Sequence, residues 1–329
     1  MKKTITALCI SLAISTASFA STFTATSDVT QALENGNVEV AAQHFSTLPK
    51  AQQTNLEGAI LQARIWLGER KAEQAYDSLE ELLEKHPDHD ELHYRFGLAS
   101  VAMAQQASIF SKLGYAKEGR KAWERVVKRN PQHIEALEAL IGFYRIAPGI
   151  AGGDVDEALV LAKKLKSIDA EKGFFHLATV YQKMENTELT EQTLAEGIEQ
   201  FPQSHQLYFF RGLTQVEAQD WGLARTYFSA AVKHGQKDTE KQQALYQLGK
   251  VAAESGEHLT MGIESLLQLT EIDAPMYKQW VPFRLAQLYV MDGQISKANA
   301  LLKQVDTSND ERLKDEVKAL KKEIKKVAS

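Results

Sequence analysis

The densest run of residues with metal-binding chemistry is His86-Pro87-Asp88-His89-Asp90-Glu91-Leu92-His93. His89 and His93 are four residues apart, the spacing that sets two imidazoles on one helix face, with His86 and carboxylates beside them. Such a turn would hold a divalent cation and serve a metal-dependent factor. Nothing elsewhere in the chain presents itself as a further ligand, and polar residues around a Pro are also what an ordinary inter-helix turn carries. A second candidate is Ala147-Pro148-Gly149-Ile150-Ala151-Gly152-Gly153-Asp154, because a Gly-rich turn before a helix N-terminus suits a phosphate. It lacks a Gly-Lys-Ser/Thr sequence and a preceding strand, and Asp154 would repel the anion. With 43 acidic residues, carboxylate pairs select nothing, and the Ser and His spacings offer no triad. The sequence points to no enzyme, no metal and no cofactor.

Composition bounds what holds these residues. The 329 residues are 44% apolar and 25% charged, which is ordinary globular usage. Only 7 Pro and 19 Gly punctuate them, so long helices are expected, and a β-sandwich or barrel is excluded for want of turns. Residues 1–20 have the order of a secretory signal: Lys2 and Lys3, the apolar stretch Ala7 to Ile14, then Ser18-Phe19-Ala20, with cleavage expected after Ala20. The stretch is shorter than the ~20 apolar residues of a membrane span, and Leu8 before Cys9 argues against a lipid anchor. Without this segment the net charge is −7 and no Cys remains. No basic face for nucleic acid, no disulfide and no thiolate metal site is then expected. The expected compartment is the periplasm, with release from the cell as the alternative.

Self-comparison reveals a repeat. One segment reads Phe174, Leu177-Ala178, Tyr181, Thr190, Leu194, Gly197, Pro202, and the next, 34 residues on, reads Tyr208, Arg211-Gly212, Gln215, Ala224, Phe228, Ala231. Ala59, Ala63, Trp66, Ala75, Leu79, Leu82, Pro87 repeats it, and Phe283, Leu285-Ala286, Tyr289, Gly293, Ala298, Leu302, Val305 repeats most of it. Apolar positions three and four apart make each unit two helices, with small residues where the pair must cross. Between Phe96-Gly97 and Trp123 the spacing is ten residues longer, so both helices of that repeat should be more than a turn longer. The Gly-rich run Ala147–Asp154 opens another inter-helix turn into a loop, with a helix starting near Asp154. Residues 29–48 form a partial first unit, in which Ala41, Phe45 and Leu48 fit a second helix. At the other end, residues 308–329 carry Leu313, Val317, Leu320, Ile324 and Val327 on one stripe, with lysines opposite: a solvated capping helix.

A 34-residue helix-turn-helix period of this pattern resembles the tetratricopeptide repeat, and the resemblance covers nearly all of residues 21–307. The loop Ala147-Pro148-Gly149-x-x-Gly152-Gly153 is similar to a segment of exported bacterial tetratricopeptide proteins and implies no activity. The expected fold is an all-α, right-handed superhelical solenoid of about eight helix pairs with a C-terminal cap. The resemblance implies a binding module whose first helices, here called A, line a concave surface for a protein or peptide. Domains of this kind that hold chaperone C-termini clamp two carboxylates with Lys and Asn on helix A. Here such positions carry Glu135, Glu138, Phe175 and Gln206, so that clamp is absent.

One A-helix position stands about 100° from the core face. Through seven repeats it reads Ile60, Tyr94, Glu138, Phe175, Phe209, Tyr246 and Phe283, five of them aromatic against 8% for the whole chain. Leu213 continues the face of Phe209, and Trp280 lies near the last rung. The expected partner-binding residues are therefore Tyr94, Phe175, Phe209, Leu213, Tyr246, Trp280 and Phe283. The expected function is an envelope scaffold that holds an apolar or aromatic segment of a partner. Rings packed between adjacent helices would give the same pattern. The alternatives are a structural subunit bound through the solenoid edges and the metal-dependent factor at His86, His89 and His93. Oligomeric state is not legible.

Overall fold

The computed structural model describes residues 26–272, 274–308 and 310–327. The expected signal, residues 1–20, lies outside them. The described residues are helices and short connections, with no strand among them.

The chain divides into two compact units. The first runs up to Phe143 and takes Ala147–Gly153 as well. It holds α1 (residues 26–34), α2 (Val38–Thr47), α3 (Lys50–Thr54), α4 (Leu56–Gly68), α5 (Ala72–Lys85), α6 (Asp90–Gln106), α7 (Ile109–Arg129) and most of α8 (Ile134–Ile146). The second takes Tyr144–Ile146 and the chain from Asp154. It holds α9 (Val155–Ile168), α10 (Ala170–Lys183), α11 (Thr187–Gln200), α12 (His205–Glu217), α13 (Trp221–His234), α14 (Asp238–Ser255), α15 (Leu259–Thr270), α16 (Trp280–Met291), α17 (Ile295–Leu302) and α18 (Glu311–Val327).

Within each unit, successive helices pack as antiparallel pairs and alternate helices also touch. In the first unit α4 meets α6; in the second α10 meets α12, α12 meets α14, and α14 meets α16. From α4 onward the even-numbered helices thus form the A series and the odd-numbered ones their partners. A glycine on the A helix keys three of the pairs: Gly97 lies under Trp123, Gly212 under Phe228 and Gly249 under Leu266. A Cβ on Gly212 would fall 2.6 Å from the Phe228 ring, so only hydrogen lets the backbones approach. The turn inside a pair recurs with the same period. Gly36 and Arg70, and again Glu185 and Gln219, stand 34 residues apart with φ of 76°, 62°, 58° and 58°.

The lengthened repeat is α6 with 17 residues and α7 with 21, against 13 and 14 in the regular pair α12 and α13. After α8 a 3-10 turn, Gly149–Ala151, packs against α7, and Ala151 is 3% exposed. Ala151 thus anchors the loop on α7, while Pro148, Gly149 and Ile150 remain exposed. Asp154 ends it by accepting from the N–H groups of Asp156 and Glu157, which starts α9. In α18 the stripe Leu313, Val317, Leu320 and Ile324 is buried, and the helix lies against α16 as the next A helix would. Among the described residues no helix is long and apolar enough to cross a membrane.

Candidate functional site

The histidine-rich turn is built as a helix junction. His86 closes α5 by donating its backbone N–H to Leu82. His89 caps α6, its Nδ1 accepting from the Leu92 N–H at 3.4 Å. The His93 Nε2 lies 2.8 Å from the Pro87 carbonyl. The carboxylates are engaged by α7: Asp88 accepts from Arg125 at 3.0 Å and from Arg129 at 2.6 Å, and Arg129 pairs with Asp90 at 2.9 Å. Among the described residues no three His, Cys, Asp or Glu side chains converge to hold a metal ion. His133 caps α8 as His89 caps α6, its Nδ1 accepting from Ala136 at 3.3 Å.

The A-helix aromatic positions divide by environment. In the first unit Tyr94 is half-buried, its ring 5.5 Å from that of His133 and 4.9 Å below the Arg95 guanidinium. Burial pushes its phenol pKa up. In the second unit Phe175 is half-buried with its ring edge-on to Phe210 at 5.6 Å, and half-buried Phe209 lies 5.6 Å from Phe228. Leu213 is half-buried between these two clusters. Tyr246 and Trp280 are half-buried as well. Phe283 is not a rung. It is 0% exposed, because α16 is enclosed by α14, α15, α17 and α18 and puts eight buried residues into the core.

Tyr246 and Trp280 line a cleft of about 400 Å³ in the second unit. Tyr246 stacks on Tyr277 at 4.5 Å, and burial, outweighing the nearby Arg284 charge, raises the pKa of its phenol. The Trp280 indole donates to Asp310 Oδ2 at 3.1 Å, with the Arg312 guanidinium 5.4 Å over its ring. Gln247, Lys250 and Arg284 complete the polar lining. Arg284 is 4% exposed. Nothing in the aromatic pattern singled it out. A cation inside the apolar run Val281-Pro282-Phe283-Arg284-Leu285-Ala286 was the available signal.

These helix pairs, with their glycine keys and recurring turns, make the chain an all-α repeat protein of the tetratricopeptide-solenoid fold. Solved repeat proteins share it. A tetratricopeptide repeat protein from Parabacteroides merdae matches with a TM-score of 0.52 at 13% identity, over 82% of this chain and 99% of that one. Yeast Tom70 matches with 0.54 at 13% identity, over 90% of this chain and 64% of that one. A chain of the APC/C hetero-tetramer Cut9-Hcn1 matches with 0.53 at 13% identity, over 89% of this chain and 54% of that one. At these identities the likeness is one of fold. No protein-family model and no curated protein matches the chain.

Proposed function

We propose that this chain is a periplasmic, non-catalytic scaffold that binds a partner protein or peptide through its A-helix face, in the assembly or maintenance of the cell envelope. The observation that supports this best is the set of half-buried anchors on the A helices: Tyr94 in the first unit, and Phe175, Phe209, Leu213, Tyr246 and Trp280 in the second. Rigid rings seated at their base and open at one edge are the side chains that carry most of the energy of protein interfaces. The signal-like order of residues 1–20 supports export. One matching chain comes from the Cut9-Hcn1 hetero-tetramer, so a chain of this fold occurs in a complex with another protein.

A second reading, attachment through the turns at the solenoid edge, draws on Phe110, 93% exposed, and Ile150, 72% exposed. A photo-crosslinking residue placed in cells at Phe209, at Phe110 and at the exposed α9 residue Val160 separates the two. A crosslinked partner at position 209, lost in the Phe209→Ala, Tyr246→Ala double variant, supports the A-helix face. Crosslinks at 110 without any at 209 overturn it in favour of the edge.

A further inference from the structure

The cleft beside Trp280 contains an electrostatic imbalance. Lys250 is paired with Glu254 at 3.6 Å and Arg312 with Glu316 at 3.8 Å. Asp310 accepts from the Trp280 indole through one oxygen and from the Leu313 N–H, at 2.9 Å, through the other, which caps α18. Arg284 differs from all of these. It is 4% exposed, it donates to the neutral Gln287 Oε1 at 2.6 Å, and its Nε has no hydrogen-bond partner. Its guanidinium lies 5.6 Å from the Trp280 ring and 5.4 Å from the Phe283 ring, and it forms no ion pair with any described residue. Gln247, on the same cleft wall, has a buried Oε1 that is likewise unpartnered. The other neighbours of Arg284 are the Tyr246 phenol, which hydrogen-bonds it, and ring faces. A buried cation met only by an amide, a phenol and rings lacks a counter-charge, for which a ring face is a weak substitute.

We infer that this cleft is a binding site for a single carboxylate carried by a peptide, next to an aromatic or apolar side chain. The charge count selects the anion. One uncompensated guanidinium matches a monoanion, and the Asp310 carboxylate at the same cleft opposes the second charge of a phosphate. A planar carboxylate fits the fork of an arginine, while Gln247 offers an amide to the adjoining peptide group. The stacked Tyr246 and Tyr277 and the Trp280 ring provide an apolar wall for the neighbouring side chain, and about 400 Å³ accommodates one residue and its flanks. The site differs from the two-carboxylate clamp of Lys and Asn, being centred on one buried arginine between α14, α16 and the start of α18. It deepens the partner-binding reading and rests on it only in taking the carboxylate from a protein.

The test uses the full exported chain and two small acids, each compared with its neutral counterpart. Acetyl-Gly-Phe presents a terminal carboxylate and acetyl-Glu-Phe-amide a side-chain one; acetyl-Gly-Phe-amide and acetyl-Gln-Phe-amide present none. The expected result is saturable movement of the Trp280 indole N–H resonance with at least one of the acids, and binding at least tenfold weaker for its neutral counterpart. The acid that binds identifies the source. Arg284→Gln should remove this acid-over-amide preference with the helical spectrum intact. Equal response to acid and amide overturns the inference on the unaltered protein, whatever the variant does. Inorganic phosphate binding more tightly than either acid also overturns it. Because these probes need no partner, a failed crosslink at position 209 leaves this result readable, and a failed titration leaves the scaffold reading standing.

Discussion

Arg95 and Arg284 occupy the same place in their repeats, each just before the large-small pair of an A helix, Phe96-Gly97 in one and Leu285-Ala286 in the other. Both guanidiniums lie over the ring of the preceding residue, Tyr94 at 4.9 Å and Phe283 at 5.4 Å. They differ one turn earlier. Arg95 finds Glu91 and pairs with it at 2.7 Å, its side chain 19% exposed. Arg284 finds Trp280 instead and is buried without a carboxylate. In the first unit the repeat neutralises its own arginine. In the second unit one change of residue type leaves a charge unanswered at a cleft. A repeat protein acquires a specific site where one member of an otherwise common position is left unsatisfied.

The largest contrast should come from the two underlying rings. Phe283→Ala, in a fully enclosed position, should cost ~3–5 kcal/mol in urea unfolding, as large-to-small core changes do. Tyr94→Ala, half-buried, should cost roughly half of that. Equal losses would show that both positions are core and would remove Tyr94 from the binding face. A smaller effect, of opposite sign in the two units, should follow replacement of each arginine by Met, which keeps the apolar stem. Arg284→Met should stabilise by roughly 1–2 kcal/mol by removing an unpaired buried charge, and Arg95→Met should destabilise by less than ~1 kcal/mol. Thermal melts read both, and a destabilised Arg284→Met protein would mean that the bond to Gln287 holds α16 together. The smallest effect is expected for Glu91→Gln, a loss of ~0.3–0.5 kcal/mol that fades in high salt, since the pair is partly exposed. A salt-independent loss would make that pair a buried determinant of the first unit.

Much of the fold is legible because helix pairing leaves a periodic trace. The small residues at Gly97 and Gly212, the ten extra residues that lengthen α6 and α7, and the α9 start at Asp154 can all be read by counting. Tertiary surroundings are not periodic, and there the count fails. Phe283 shares its repeat position with Phe175, yet α18 and the helices around α16 close over it. The histidines mislead in a different way. His89 looks like a ligand but follows a Pro by two residues, as His133 follows Pro131 and Ser204 follows Pro202, and all three are helix caps. Arg284 had a readable signal that the aromatic pattern obscured: no acid stands three or four residues to either side, where Trp280, Val281, Gln287 and Leu288 lie instead.

The elongated pair α6 and α7 has a mechanical consequence. At about 1.5 Å of rise per residue the extra helix adds roughly a turn or more to each arm of the hairpin, and near its tip the Gln106 amide donates to the Arg70 carbonyl at 3.4 Å. Gly114 has open space where a side chain would begin, and Gln105, Gln106, Ser108 and Phe110 are exposed. The base is held by the Trp123 ring over Gly97 and by the bond from its indole to the Tyr94 carbonyl at 3.1 Å. The hairpin is therefore a cantilever, clamped at one end and lightly tethered at the other. Its outer turns can fray and re-form at a free-energy cost well below that of unfolding the unit, and their amides exchange with solvent through that local breathing. A ring at such a tip sweeps more space than any rung on the A helices, while the anchored end stays rigid.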